Sequence, residues 1–225
     1  MKRIITLLVV ISLVFSLALS LSSCDQKYNE EEVISAAKLL IEKSIVLNEI
    51  YWGAGILPSN PSSIALYSEA NILDLSRLGF YTLDELKKKT EEVFTYSYCE
   101  SIYSTSFSTV EDGEYIPFYP RYYQKYEDVE MTIPVSIMVH SKIENLIPDK
   151  VEYLYDTLSV SHADRDKVYV KIKAIVTRDE KSVQIQEKII ALKLEAAGWR
   201  IDSPTYLRYN DKKDEYEDLL ENKNK

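Results

Sequence analysis

The chain has 225 residues, a formal net charge of −9, 46% apolar residues and 11% aromatic residues. An acidic balance of this size argues against nucleic acid as a partner, since phosphate neutralisation needs a basic patch, and the length allows one sizeable domain or two small ones. With two cysteines, two histidines and no CxxC, HExxH or EF-hand spacing, nothing in the chain has the form of a metal site or calls for a cofactor.

The first 24 residues read MKRIITLLVVISLVFSLALSLSSC. Lys2 and Arg3 precede an almost unbroken apolar run over residues 4–15, and small residues lead to Cys24. That order is the one expected of an export signal over residues 1–23. The apolar stretch, about 18 residues, is close to the lower limit for spanning a bilayer, so an uncleaved anchor is the competing reading. Leu21-Ser22-Ser23-Cys24 resembles the bacterial lipobox, in which the cysteine sulfur is lipidated and the chain is cut just before it. The resemblance implies a lipid anchor on Cys24 and a place on the extracytoplasmic face of the bacterial cell membrane. Two or more acyl chains are what stable anchoring needs. Removing Lys2 and Arg3 with the signal takes the net charge from −9 to −11, a domain that anionic lipid repels rather than lays flat.

Residues 24–29 form the lipidated cysteine and a short polar tether, whose extended reach is under about 20 Å. A helix is expected over 30–52, capped by Asn29 with Glu32 closing a capping-box-like pair. Val33, Ala37, Leu40, Ser44, Leu47 and Tyr51 keep helical spacing, widened by Ile34, Ile41, Ile45 and Trp52. A stripe this broad has to be covered, most economically by a sheet. Gly53 and Gly55 end the helix, PSNP at 58–61 is a loop, and an extended piece is expected near 64–68. Thr82 and Glu85 form a capping box for a second helix, and Thr95 caps a third short one that holds Cys99 inward as a buried thiol.

From about residue 107 the apolar period changes to two. A hairpin turn is expected at Asp112-Gly113, and strands at 131–140, 151–161, 168–177, 183–196 and 198–206. HADRDK, RDEKS and AAG separate the last four at hairpin spacing, which predicts antiparallel neighbours. Val183 and Ile185 are apolar at odd positions, whereas Ile190, Leu192 and Leu194 are apolar at even ones. That change of phase predicts a β-bulge or sharp bend near 187–190. The fold class is thus α+β over residues 30–209, helices on a curved antiparallel sheet, followed by an acidic tail over 210–225 that begins as a short amphipathic helix.

Helices first, then an antiparallel sheet ending in Gly198-Trp199-Arg200-Ile201, resembles the exported NTF2-like (cystatin-like) lipoproteins. A narrower resemblance is to inhibitors of peptidoglycan DL-endopeptidases, through Tyr51-Trp52-Gly53, Asp84-Glu85-Leu86 and Gly198–Asp202. These resemblances imply a binding or regulatory module of the cell envelope, possessing no catalysis of its own, with an envelope protein or cell-wall component as partner. A small-ligand carrier or enzyme using a cone-shaped pocket, and a structural part of an envelope complex, are the alternatives.

The candidate binding surface follows from composition. Residues 94–126 hold eight of the chain's 18 tyrosines. Within them IPFYPRYYQKY is interrupted by two prolines and reads as a loop whose aromatic rings cannot all be core. Phe118, Tyr119, Arg121, Tyr122 and Tyr123 are the expected binding residues, tyrosine offering stiff contact area with a polar tip. No catalytic or metal-ligating set is expected. His140 with a carboxylate such as Asp156 would be the proton-transfer pair of a pocket, His162 reads as a solvated turn residue, and Arg200 with Asp202 reads as a surface pair. Replacement of Cys24 by serine is expected to move the protein from the membrane to the soluble fraction, read by fractionation of expressing cells. Retention in the membrane would instead point to an uncleaved anchor.

Overall fold

The computed structural model describes residues 28–61, 65–107, 120–128, 130–142, 145–178 and 182–210. The signal segment, Cys24, the expected Asp112-Gly113 turn and the tail beyond Asn210 lie outside the described residues. Helix α1 runs Glu30–Tyr51, and the expected inward set Val33, Ala37, Leu40, Ser44, Leu47 and Tyr51 is buried along it. Ile45, expected to widen the stripe, is instead 44% exposed. Asn29 caps the helix by accepting from the Glu31 amide. Glu32 sends its carboxylate to the Trp199 indole at 3.2 Å. Among the described residues, no helix is long and apolar enough to cross a membrane.

The next elements are β1 (Tyr67–Glu69) and α2 (Ile72–Leu78), a helix that the periodicity alone did not single out. Asn71 caps α2, and Gly79 closes it at φ +75°, a left-handed conformation that suits glycine. Helix α3 (Leu83–Glu91) carries the expected Thr82–Glu85 capping box, and α4 (Tyr96–Ser106) starts at Thr95 as expected. The strands are β2 (Tyr122–Tyr126), β3 (Pro134–His140), β4 (Lys150–Ala163), β5 (Lys167–Arg178), β6 (Ser182–Glu195) and β7 (Gly198–Ile201). They form two antiparallel sheets, ordered β1-β3-β2 and β4-β5-β6-β7, in place of one continuous curved sheet.

The three expected hairpins join β4 to β7 in sequence, and Gly198 takes φ +111° in the last of them. No bulge interrupts β6. Its pairing with β5 is continuous from Lys193 opposite Lys167 to Ser182 opposite Arg178. The apparent change of phase arises because Val183, Ile185 and Ile189 point outward into solvent while polar Gln184 points inward. The register breaks lie in β4, between Leu154 and Ser159 and between Val160 and His162. Thr157 bridges the first, donating to the Leu154 carbonyl and accepting from the Lys173 amide.

The main core joins the buried face of α1 to Val168, Val170, Ile172, Ala174, Val176, Ile190, Leu192 and Ile201 on β5, β6 and β7. After β7 the chain runs from 203 to 210 without forming a strand. Its polar groups are held by side chains instead of a ladder. The Thr205 hydroxyl meets Ser44 and Asn48 of α1, each at 2.8 Å. The Thr205 carbonyl accepts from Tyr153, and the Tyr209 amide donates to Asp149 at 2.8 Å. Gln184 bonds both the amide and the carbonyl of Asn210. An inward glutamine on β6 therefore serves as the substitute for a missing strand.

Arg200 and Asp202 are not a surface pair. Arg200 donates to the carbonyls of Glu91 and Trp199. The Asp202 carboxylate, 11% exposed, accepts from Lys167 at 2.6 Å, from Thr95 and from Ser97, tying the end of β7 to β5 and to the start of α4. Burial pushes this carboxyl up, but the Lys167 and Thr95 hydrogen bonds and the Lys167 charge outweigh it, leaving a pKa below the ordinary value. The stability it contributes is then complete above the unfolded value of about 4 and is lost as pH falls through the lower folded one. Asp202→Asn is expected to lower stability at neutral pH by about 1–3 kcal/mol and to flatten the acid limb of a denaturation series, measured by urea melts between neutral pH and the acid transition.

Candidate functional site

The tyrosine-rich segment enters β2, a strand where a loop was expected, and the alternation of a strand separates its neighbours. Tyr122 faces inward and is fully buried. Its hydroxyl donates to the Ile50 carbonyl at 2.7 Å and accepts from the Ile56 amide at 3.0 Å. Both groups belong to the chain leaving the C-terminal end of α1, whose carbonyls lack helical partners. Burial pushes the Tyr122 hydroxyl well above the ordinary tyrosine value, so it works as a neutral donor and acceptor. Tyr122 is thus a core anchor and not a binding residue, because the alternation that turns Tyr123 outward turns it inward.

Arg121 lies at the start of β2 and donates to the Gly53 carbonyl at 2.6 Å. Its own carbonyl accepts from the His140 amide. It therefore pins the strand to the same end of α1. Tyr123 faces the other way and packs edge-on against Tyr67 of β1 at 4.9 Å. His140 of β3 also packs edge-on against Tyr67 at 5.2 Å, and the Tyr67 hydroxyl donates to the Pro120 carbonyl. Met138 is the cross-strand partner of Tyr123. The outer face of the small sheet thus presents a half-buried group of Tyr67, Tyr123, Met138 and His140, with the Lys125–Glu69 pair beside it at 3.3 Å. Phe118 and Tyr119 lie outside the described residues.

Of the expected set, the structure places Tyr122 and Tyr123 on β2 with Arg121 just before it, and among these described residues Tyr123 has the outward ring. Tyr67, Met138 and His140 were missed as partners. A three-residue strand carries too little period for sequence to assign it a face, and their meeting depends on β3 pairing with both β1 and β2.

No family model matches the sequence, and no characterised protein or solved structure is significantly similar to it.

The other candidates fall into structural places. His140 and Asp156 stand on different sheets, in β3 and β4. His162 is part of β4, where its ring stacks on Tyr169 at 4.2 Å and 8°. Cys99 is fully buried, and burial pushes its thiol up to about 11. The space between α1 and the four-stranded sheet is filled by aliphatic side chains and by residues 203–210.

Tyr122→Phe removes one donor and one acceptor from buried backbone groups, a loss of about 1–3 kcal/mol per group left unsatisfied. Urea denaturation is expected to show that loss, whereas Tyr123→Ala, at a half-exposed position, is expected to shift stability by less than about 1 kcal/mol. Equal effects at both positions would contradict this division of roles.

Proposed function

We propose that the protein is a membrane-tethered binding module of the bacterial cell envelope, held by lipid on Cys24. It presents the β2–β3 face to an envelope protein or a cell-wall component and carries no catalysis of its own. The observation that carries this reading is an opposition along α1. The helix begins five residues beyond the tether's Asp25 and is anchored there to β7 through Glu32 and Trp199. At its other end Ile50, Gly53 and Ile56 hold Tyr122 and Arg121. Twenty-two residues of helix separate the two by about 33 Å. A lipid at one end and an aromatic face at the other suit a domain that reaches away from its membrane.

The most specific form of this reading is inhibition of a cell-wall endopeptidase. It is supported by the order of the three stretches that resemble that inhibitor family. Their side chains serve the fold: Tyr51 bonds Thr90 at 2.7 Å, Leu86 is buried, and Ile201 is buried. Recognition would therefore fall to the exposed faces between them, Tyr67 and Tyr123 first.

The test is site-specific photo-cross-linking in cells that make the full lipidated chain. A cross-linker replacing Tyr123 is expected to trap a discrete envelope partner, and one replacing Glu31 at the tether end is not. Tyr123→Ala is expected to weaken binding of that partner about tenfold, the size of an aromatic contact loss of ~1.4 kcal/mol. Purified protein is expected to slow envelope peptidases from the same cell. Cross-links of equal yield at both ends, or none at Tyr123, would overturn the reading. Binding without inhibition would leave the module and remove the inhibitor.

A further inference from the structure

The β2–β3 hairpin ends in an apolar tip. Met131, Ile133 and Val135 stand at every second position of the turn and the start of β3, and they are 65%, 52% and 53% exposed. Further along the same strand Ile137 and Val139 are fully buried. β3 is bulged where the burial stops. Lys125 faces Ser136 and Tyr126 faces Pro134, which leaves Val135 without a cross-strand partner. Bulges of this kind re-aim a side chain. The antiparallel pairing of β1 carries the chain after Ala70 toward the same end of β3, and Ile72 and Leu73 there are 63% and 77% exposed.

Met131 is held against its own backbone preference. Its φ is +54°, the single positive value at a non-glycine among the described residues. That conformation suits glycine, or asparagine and aspartate, whose short polar side chains bond locally as methionine cannot. Asp128 enforces it. Its carboxylate accepts from the Thr132 amide at 3.0 Å, the Ile133 amide at 3.1 Å and the Thr132 hydroxyl. The Glu127 amide closes the turn on the Ile133 carbonyl at 3.0 Å. Met131 takes no part in the core. Neither burial nor backbone geometry therefore accounts for a methionine here, and strain kept where packing returns nothing points to function.

The surroundings select the occupant. Glu127, Asp128 and Glu130 flank the apolar tip, and no lysine or arginine stands between Lys125 and Lys142. Lys125 itself pairs with Glu69. Anionic lipid and the acidic tip of a second copy are both repelled by such a charge. Aliphatic and thioether groups have no flat ring to stack on a sugar and no donor for its hydroxyls. They suit an apolar cleft, to whose shape methionine adapts. We propose that the hairpin tip inserts Met131, Ile133 and Val135 into an apolar cleft of an envelope protein whose rim carries lysine or arginine. This rests on the binding-module reading and makes the partner at that end a protein, not a wall polymer. The tip continues the strands that carry Tyr123 and Met138, so one partner spans face and tip.

The test uses the full lipidated chain in its own cells, with a photo-cross-linking residue replacing Met131, Val135 or Tyr123 in turn. At Met131 and Val135 the expected catch is one protein. Mass spectrometry is expected to place the link in a peptide where apolar residues lie within a few positions of lysine or arginine. Met131→Gly is expected to cut capture at Val135 about tenfold, and the paired reversal Glu127→Lys with Glu130→Lys is expected to cut it similarly. Purified Met131→Gly is expected to melt within about 3 °C of the parent, since glycine accepts this φ and the lost side chain packs on nothing. A larger fall would make Met131 a structural residue and overturn the proposal. So would lipid, glycan fragments or a second copy captured at Met131, or a charge reversal that raises the capture. Capture at Tyr123 with none at Met131 would overturn the tip alone, and none at either position would remove the binding module with it.

Discussion

The apolar face of α1 is the surface that the rest of the molecule has to accommodate. A helix of 22 residues with isoleucine, leucine and valine down one side cannot leave that side in water, each such side chain being worth about 1.5–3 kcal/mol when buried. The cover is the inner face of the β4–β7 sheet, which α1 meets most closely at β4 and β7, and valines and isoleucines of β5, β6 and β7 fill the core beneath it. Antiparallel hairpins supply the cover economically, because each strand follows its neighbour with a short turn. The β2–β3 hairpin attaches at the C-terminal end of α1, and α4 runs from the end of β7 at Thr95 to β2 and Tyr51 at Phe107.

The sandwich is not apolar throughout. Ser44 and Asn48 lie on the buried side of α1, and they face the hydroxyl of Thr205. The segment from 203 to 210 runs past α1, β4 and β6 without forming a strand. Its amides and carbonyls are met by Asp149, Gln184, Gln186 and Tyr153. Buried backbone groups need partners whether or not a ladder is present. Side chains that look out of place in strands, Gln184 above all, are explained by that requirement. It also leaves the side of the sheet that faces α1 occupied by the protein's own chain.

Much of the architecture was legible in sequence because it depends on local signals. The Thr82–Glu85 box, the Thr95 cap and the turns between β4 and β7 each involve residues a few positions apart, and each is where it was expected. Features that depend on distant partners were misread. The phase change in β6 looked like a bulge because Gln184 had no visible reason to face inward until Asn210 was placed against it. Tyr122 and Tyr123 looked alike as neighbours in an aromatic run. Only pairing with β3 and docking on the end of α1 made one an anchor and the other a surface ring.

Sequence by itself determined the capped helices α1, α3 and α4, the antiparallel order of the last four strands, the inward set of α1 and a buried Cys99. These follow from period, capping and turn chemistry, which act over a few residues. Tertiary structure decided that the strands divide into two sheets, that Asp202 joins β7 to β5 and α4, and that Tyr123 meets Tyr67 and His140. It also decided that residues 203–210 close the inner face. Those outcomes rest on contacts between residues tens to more than a hundred positions apart, and no local pattern encodes which of many possible partners a buried polar group will meet.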